Sequence, residues 1–92
     1  GSPQLSAAQH FENLHERTIF SVDWAREIAT GGADDAICIL ARPVAGADFE
    51  VALRRPKAHD GDVNCVSWHP TRPDILASCG DDGAVKVWRV QL

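Results

Sequence analysis

The sequence contains no run of about 18 consecutive apolar residues, so no membrane-crossing helix is expected in it. It has no basic start leading into an apolar stretch, and no secretory leader is expected. It has no excess of positive charge. Lys and Arg number 9 against 13 Asp and Glu, a net charge of -4, which is the wrong sign for a domain that lives on phosphate contacts. Nucleic acid is therefore not expected as a partner. Cysteine is scarce, with 3 residues and no CxxC, so neither a disulfide framework nor a metal site is announced, and no cofactor is expected. Reduced thiols and a cytosolic or nuclear home fit this usage best. What is present is 92 residues of ordinary globular mixture, 45% hydrophobic and 24% charged. That is one small domain at most, able to bury roughly 60–65% of its unfolded surface.

The chain repeats itself. His15 to Trp24 lies over His59 to Trp68, with Ile19, Val22 and Trp24 falling on Val63, Val66 and Trp68. The second copy then carries extra residues around His69-Pro70-Thr71-Arg72-Pro73-Asp74. After them, the stretch Ala29 to Ile37 lies over Ala77 to Val85. A period of roughly 45 residues made of short β-rich segments is the signature of propeller blades.

Strands are expected where β-branched and aromatic residues cluster between turn residues. These are Ile19–Trp24, Ile28–Thr30, Ile37–Leu40, Val63–Trp68, Ile75–Cys79 and Val85–Trp88. Turns are expected through Gly31-Gly32-Ala33-Asp34-Asp35 and Gly80-Asp81-Asp82-Gly83. One further strand is suggested by Phe49, Val51 and Leu53 alternating with Glu50, Ala52 and Arg54. Helical periodicity is not sustained anywhere. The N-terminal dozen reads as coil with Phe11 free to dock as a strand, and Gly1-Ser2 has the look of an expression scar.

Ala58-His59, Val63-x-x-Val66-x-Trp68-x-Pro70, Leu76-Ala77-Ser78 and Asp82-Gly83-x-Val85-x-Val87-Trp88 together resemble the WD-repeat pattern. The resemblance is close over residues 58–90 and looser over 15–40. It departs where Ala58 and Leu14 replace the usual Gly before the histidine, and where Trp88-Arg89 and Leu40-Ala41 replace the closing Trp-Asp. More narrowly, His15 to Trp24, Asp62 to Trp68 and Leu76 to Gly83 are similar to the last two repeats of the cytosolic iron–sulfur assembly WD-repeat family.

The resemblance implies an all-β fold, a partial WD-repeat propeller of about two blades. It divides the chain into a coil or linker over 1–13, a blade over 14–57 and a blade over 58–92 that lacks its outer strand. It implies a buried tetrad of His59, Ser78, Asp82 and Trp88, and a truncated one of His15, Thr30 and Asp34, where Leu40 stands in place of the indole. The implied function is that of a scaffold without enzymatic activity, part of an adaptor that targets cytosolic iron–sulfur clusters to apo-proteins. Its implied partners are a helical-repeat scaffold and a small companion protein. A WD-repeat scaffold of a signalling, RNA or chromatin complex is the alternative.

Two blades cannot form a ring. A blade buries its faces against its neighbours, and about three repeats are normally needed. The chain is therefore expected to be stable only beside other material. That material is either the complementary propeller segment, which in this family supplies the missing outer strand, or further copies of the chain itself.

Other chemistry has to be weighed against this. His59, Ser78 and Asp82 are the residue types of a hydrolase triad. No Gly-x-Ser-x-Gly elbow surrounds Ser78, however, and the tetrad accounts for the same three residues, so a serine hydrolase is the remote alternative. Cys38, Cys65 and Cys79 lack close partners in sequence and are expected to pack as small apolar residues. Trp24 and Trp68 share one repeat position and are expected in the core. Arg54-Arg55-Pro56-Lys57 is the one basic run, a charged strand edge or a contact for an acidic partner, and Arg17 is a further candidate contact.

Overall fold

Short β-branched segments separated by Gly, Pro and Asp turns pair with their sequence neighbours, because a tight turn leaves the next strand nowhere cheaper to go. The computed structural model, which describes residues 1–92, contains seven strands and no helix. They are β1 (Ile19–Trp24), β2 (Ile28–Gly32), β3 (Ile37–Ala41), β4 (Glu50–Arg55), β5 (Val63–Trp68), β6 (Ile75–Gly80) and β7 (Val85–Arg89). The first four form one antiparallel sheet in the order β1-β2-β3-β4, and the last three form another in the order β5-β6-β7. The two sheets stack without closing into a ring: a partial propeller.

The core is the contact between them. Ala29, Ile37 and Ile39 from the first sheet pack on Val63, Val66, Trp68 and Leu76 from the second, with Ala58 in the connection. Leu53, Trp88 and Val90 close its border. Polar atoms fasten the same contact. The Val66 N–H donates to Ser21 Oγ at 3.1 Å and the Trp68 N–H donates to Asp23 Oδ2 at 2.7 Å. The Trp68 indole N–H donates to the Asp23 carbonyl at 3.2 Å.

Several expectations are corrected. Gly31 and Gly32 belong to β2 and not to the turn, pairing with Ser21 and Ile19. Packing demands glycine at both positions. A Cβ on Gly31 would stand 2.6 Å from Val63 Cγ1, and one on Gly32 would stand 2.7 Å from His15 Nδ1. The tight turn therefore starts later, and its left-handed position is Asp35 (φ 66), where the second copy has Gly83 (φ 77).

The two matched tryptophans part company. Trp68 is 7% exposed in the contact between sheets, but Trp24 is 63% exposed because no sheet lies against β1 on that side. Trp24 instead meets Phe49 edge-on, with centroids 5.5 Å apart. Cys38 is buried as expected, whereas Cys65 is exposed on the outer face of the second sheet.

The alternation of Phe49, Val51 and Leu53 breaks at an irregularity between Ile39 and Leu40, where Leu40 pairs with Val51 but Ile39 pairs with Leu53. The extra residue turns the strand over. Val51 falls on the open face and stays exposed, and Leu53 falls on the contact face. Phe11 is half-buried in coil and forms no strand. Gln9 holds that coil in place, its amide accepting from the Phe49 N–H at 2.8 Å and donating to the Phe49 carbonyl at 3.1 Å.

Candidate functional site

Two hydrogen-bonded chains occupy equivalent places, one in each sheet. In the second sheet, β6 carries Ser78, β7 carries Trp88 across from Leu76, the turn between them carries Asp82, and His59 arrives on the segment before β5. The Trp88 indole N–H donates to Ser78 Oγ at 2.8 Å, and Ser78 Oγ lies 2.7 Å from His59 Nε2. His59 Nδ1 lies 3.0 Å and 3.1 Å from the two oxygens of Asp82. An imidazole with its proton on Nδ1 satisfies every link, because the carboxylate can only accept and Nε2 is then free to accept the serine O–H.

In the first sheet, His15 Nδ1 lies 2.7 Å from Asp34 Oδ1 and His15 Nε2 lies 2.7 Å from Thr30 Oγ1. The fourth member is missing there, since Leu40 has no donor. The structure thus brings His59, Ser78, Asp82 and Trp88 together in one chain, and His15, Thr30 and Asp34 in a shorter one. No buried side-chain nitrogen or oxygen is left without a partner.

The two carboxylates differ in their surroundings. The Ala84 N–H above all, with the Asp60 N–H and His59, lowers the Asp82 carboxyl from 3.8 to about 2 against the opposing effect of burial. Burial works against the Asp34 charge too, but hydrogen bonds from His15, the Glu16 N–H and Arg54 hold its carboxyl well below the usual range. The Asp34 side chain is 3% exposed and that of Asp82 is 14% exposed. Two features set Asp34 apart: His15 Nδ1 lies closer to it, at 2.7 Å, and Arg54 Nη2 of β4 donates to its Oδ2 at 2.9 Å, a partner that the second sheet, without a fourth strand, does not supply.

Of the basic run, then, Arg54 is engaged with Asp34. Arg55 lies over the Trp88 ring at 5.4 Å, bridging the two sheets. Lys57, at a left-handed φ of 51, and Arg17 are exposed.

Aspartate, imidazole and serine stand here in the order a hydrolase would use. Yet Ser78 is 3% exposed and its oxygen already receives the indole N–H, so an acyl group has no approach to it. No three His, Cys, Asp or Glu side chains converge as metal ligands would.

Sequence reasoning missed the seats of the two imidazoles and the anchors around them. A Cβ on Gly80 would stand 2.7 Å from the Asp62 carbonyl and 2.9 Å from the His59 ring, the counterpart of Gly32 beside His15. Lys86 Nζ donates to the Ala58 carbonyl at 2.7 Å, and at the matching position Cys38 Sγ donates to the Leu14 carbonyl at 3.2 Å. Ser21 and Asp23 were missed as well. The signal for the glycines was available, because both fall at the same place in the repeat.

Comparison with known proteins adds the following. The family described as "WD domain, G-beta repeat" matches residues 51–89. The chain is 42% identical over 86 residues to a probable cytosolic iron-sulfur protein assembly protein CIAO1 homolog of Dictyostelium discoideum, covering 88% of this chain and 26% of that protein. It is 43% identical to the homolog of Chlamydomonas reinhardtii, covering 94% of this chain and 26% of the relative. The Homo sapiens relative is 38% identical over 85% of this chain and 25% of its own length. The chain therefore spans about a quarter of the length of the curated relatives it matches. It is a stretch of WD-repeat propeller that resembles the cytosolic iron–sulfur protein assembly proteins.

Proposed function

We propose that this chain is a two-blade piece of a propeller scaffold and serves as a protein-interaction platform, without catalysis, in the assembly of cytosolic iron–sulfur proteins. Clusters are cargo in this reading, delivered to apo-proteins by the complex to which the scaffold belongs. The observation that carries it is the identity of 38–44% with proteins named for that assembly, sustained across most of the chain.

In this reading residues 14–57 and 58–92 act as the two blades, with 1–13 as the lead-in. His59, Ser78, Asp82 and Trp88, and His15, Thr30 and Asp34, serve to lock each blade, since a buried polar network that satisfies all its members fixes one geometry. Arg17 and Lys57, exposed and unengaged by carboxylates, are the cations left for an acidic surface of a partner, whereas Arg54 and Arg55 are occupied within the chain. The site of action is the cytosol, as the relatives' names state for them.

The test is a chimera in which this chain replaces the matching quarter of the Homo sapiens relative, in cells lacking that relative. Activity of a cytosolic iron–sulfur enzyme should be restored. A chimera that accumulates as folded protein but leaves the enzyme without its cluster would remove the assembly role and favour a scaffold of some other complex.

A further inference from the structure

We infer that Cys65 and Cys79 together form a site for one soft, thiophilic cation of the Cu(I) class, held between two thiolates on the outer face of the second sheet. The inference does not depend on the scaffold reading and goes beyond it. Two of the three cysteines expected to pack as small apolar residues are ligands instead.

The site comes from the pairing of β5 with β6. Cys65 and Cys79 are directly opposite in that register, so both side chains leave the same face. The ladder also fixes which kind of pair they make. The His69 N–H donates to the Ile75 carbonyl at 2.9 Å, and hydrogen-bonded positions then recur at every second residue, at Ser67 with Ala77 and at Cys65 with Cys79. The N–H groups of Val66 and Trp68, which lie between, point the other way and donate to Ser21 and Asp23 of the first sheet. A hydrogen-bonded pair is the wider kind, with Cβ atoms about 5.5 Å apart. A disulfide requires about 3.5–4.5 Å there, so direct oxidation would have to draw the strands together. A single metal ion suits the wider spacing. Two metal–sulfur bonds of about 2.3 Å, the length found with zinc, bridge sulfurs about 4.6 Å apart.

The surroundings select a soft ion. An open concavity of about 180 Å³ lies over the pair, walled by Ser67, Ala77 and Val85. No carboxylate or imidazole lines it, so calcium and magnesium find no oxygen cage and zinc finds only two of its four ligands. Cu(I) is satisfied by two thiolates. Both sulfurs can be reached, since Cys65 is exposed and Cys79 is half-buried. Binding exchanges two S–H protons for the ion: Cu(I) and two thiols give a bis-thiolate with one net negative charge, and two protons are released.

The first sheet has no such site. Its matching residues are Ser21 and Gly31, which bear no thiol and lie against β5. The third cysteine stands apart, buried and with its thiol donating to the Leu14 carbonyl. A neighbouring sheet seated on the outer face would cover both sulfurs, so the ion and such a neighbour exclude one another.

Anaerobic titration of the whole chain with Cu(I), in competition with a chromophoric Cu(I) chelator, tests this. One ion per chain is expected, with a thiolate-to-copper absorption band in the ultraviolet. Because two protons leave, affinity should fall by about a hundredfold per pH unit on the acid side, where both thiols carry their protons. Cys65→Ser and Cys79→Ser, each made alone, should lose the band and the tight binding although both still carry Cys38. Urea should do the same to the unaltered chain, since the register that opposes the two thiols is then gone. Failure to take copper from the chelator overturns the inference, and so does half an ion per chain, which would mean a bridge between copies. Undiminished binding in either serine variant, or in urea, assigns the copper to unorganised thiols and overturns it as well.

Discussion

Asp34 and Asp82 do the same job under different cover, and acid should tell them apart. Each is held in its charged form by the folded protein, so each folded value lies below the unfolded one of about 3.9. Stability from Asp82 is then complete above about pH 4 and drains away as pH falls towards about 2, its folded value. That from Asp34 persists lower still, because hydrogen bonds from His15, the Glu16 N–H and Arg54 together outweigh the burial that opposes its charge. An acid titration followed by backbone amide signals should show Asp60 and Ala84, which donate to Asp82, released before Glu16 and Ala36, which donate to Asp34. Simultaneous release would mean that the two carboxylates are held alike despite His15 and Arg54. Ser78→Ala asks a plainer question of the same chain. It leaves the Trp88 indole N–H and His59 Nε2 without their partner, and the urea midpoint read by tryptophan fluorescence should drop by the equivalent of about 1–3 kcal/mol. The residue types of this network were legible from the repeat and the family pattern. That Arg54 belongs to it was not, because nothing local in Arg54-Arg55-Pro56-Lys57 says which guanidinium turns inward.

At the scale of the element, the glycines decide where strands may come close. Gly80→Ala should push the His59 ring out of its place, since the added carbon meets both the Asp62 carbonyl and the imidazole, at a cost of about 1–3 kcal/mol. Loss of the His59 ring signal's slow exchange is the readout. Asp35→Gly acts in the opposite sense. Asp35 sits in the left-handed region where the second copy already uses Gly83, so relief of that conformation should raise stability by about 0.5–1 kcal/mol in the same urea experiment. Strand positions were readable from β-branched clusters almost to the residue, because neighbouring strands pair through tight turns. The end of β2 was misjudged, since a glycine pair in sequence signals a turn and a glycine pair under a valine and a histidine signals close packing. The bulge of β4 was equally hidden, as it follows from pairing with Ile39 and Leu40 and not from its own alternation.

On the scale of the whole molecule, two sheets are held by one apolar contact and by the latch of Ser21 and Asp23 on the edge of β5. Asp23→Ala removes the acceptor of the Trp68 N–H and leaves that donor in a sparsely hydrated seam. A loss of about 1–3 kcal/mol is expected, with faster hydrogen exchange at the Trp68 amide and no change at Ser78. If both amides accelerate alike, the sheets do not move as separate bodies. The rest of the surface is unfinished. Phe20, Val22 and Trp24 stand exposed on one side, and Val85 and Val87 on the other. Exposed apolar faces of this kind and an unpaired β7 edge are features of an interface and not of a free surface.

The sequence by itself determined the all-β character, the repeat, the kinship with WD-repeat proteins and the residue types of the buried networks, because each of these is written in local pattern and in the spacing of one copy over the other. Only the tertiary structure decided that Trp68 is core while Trp24 is open, that Arg54 closes on Asp34, and that Gly31 and Cys79 make equivalent faces unlike. Those outcomes depend on which sheet lies against which, and a contact between sheets depends on atoms far apart along the chain, where no short-range pattern records the space that is left.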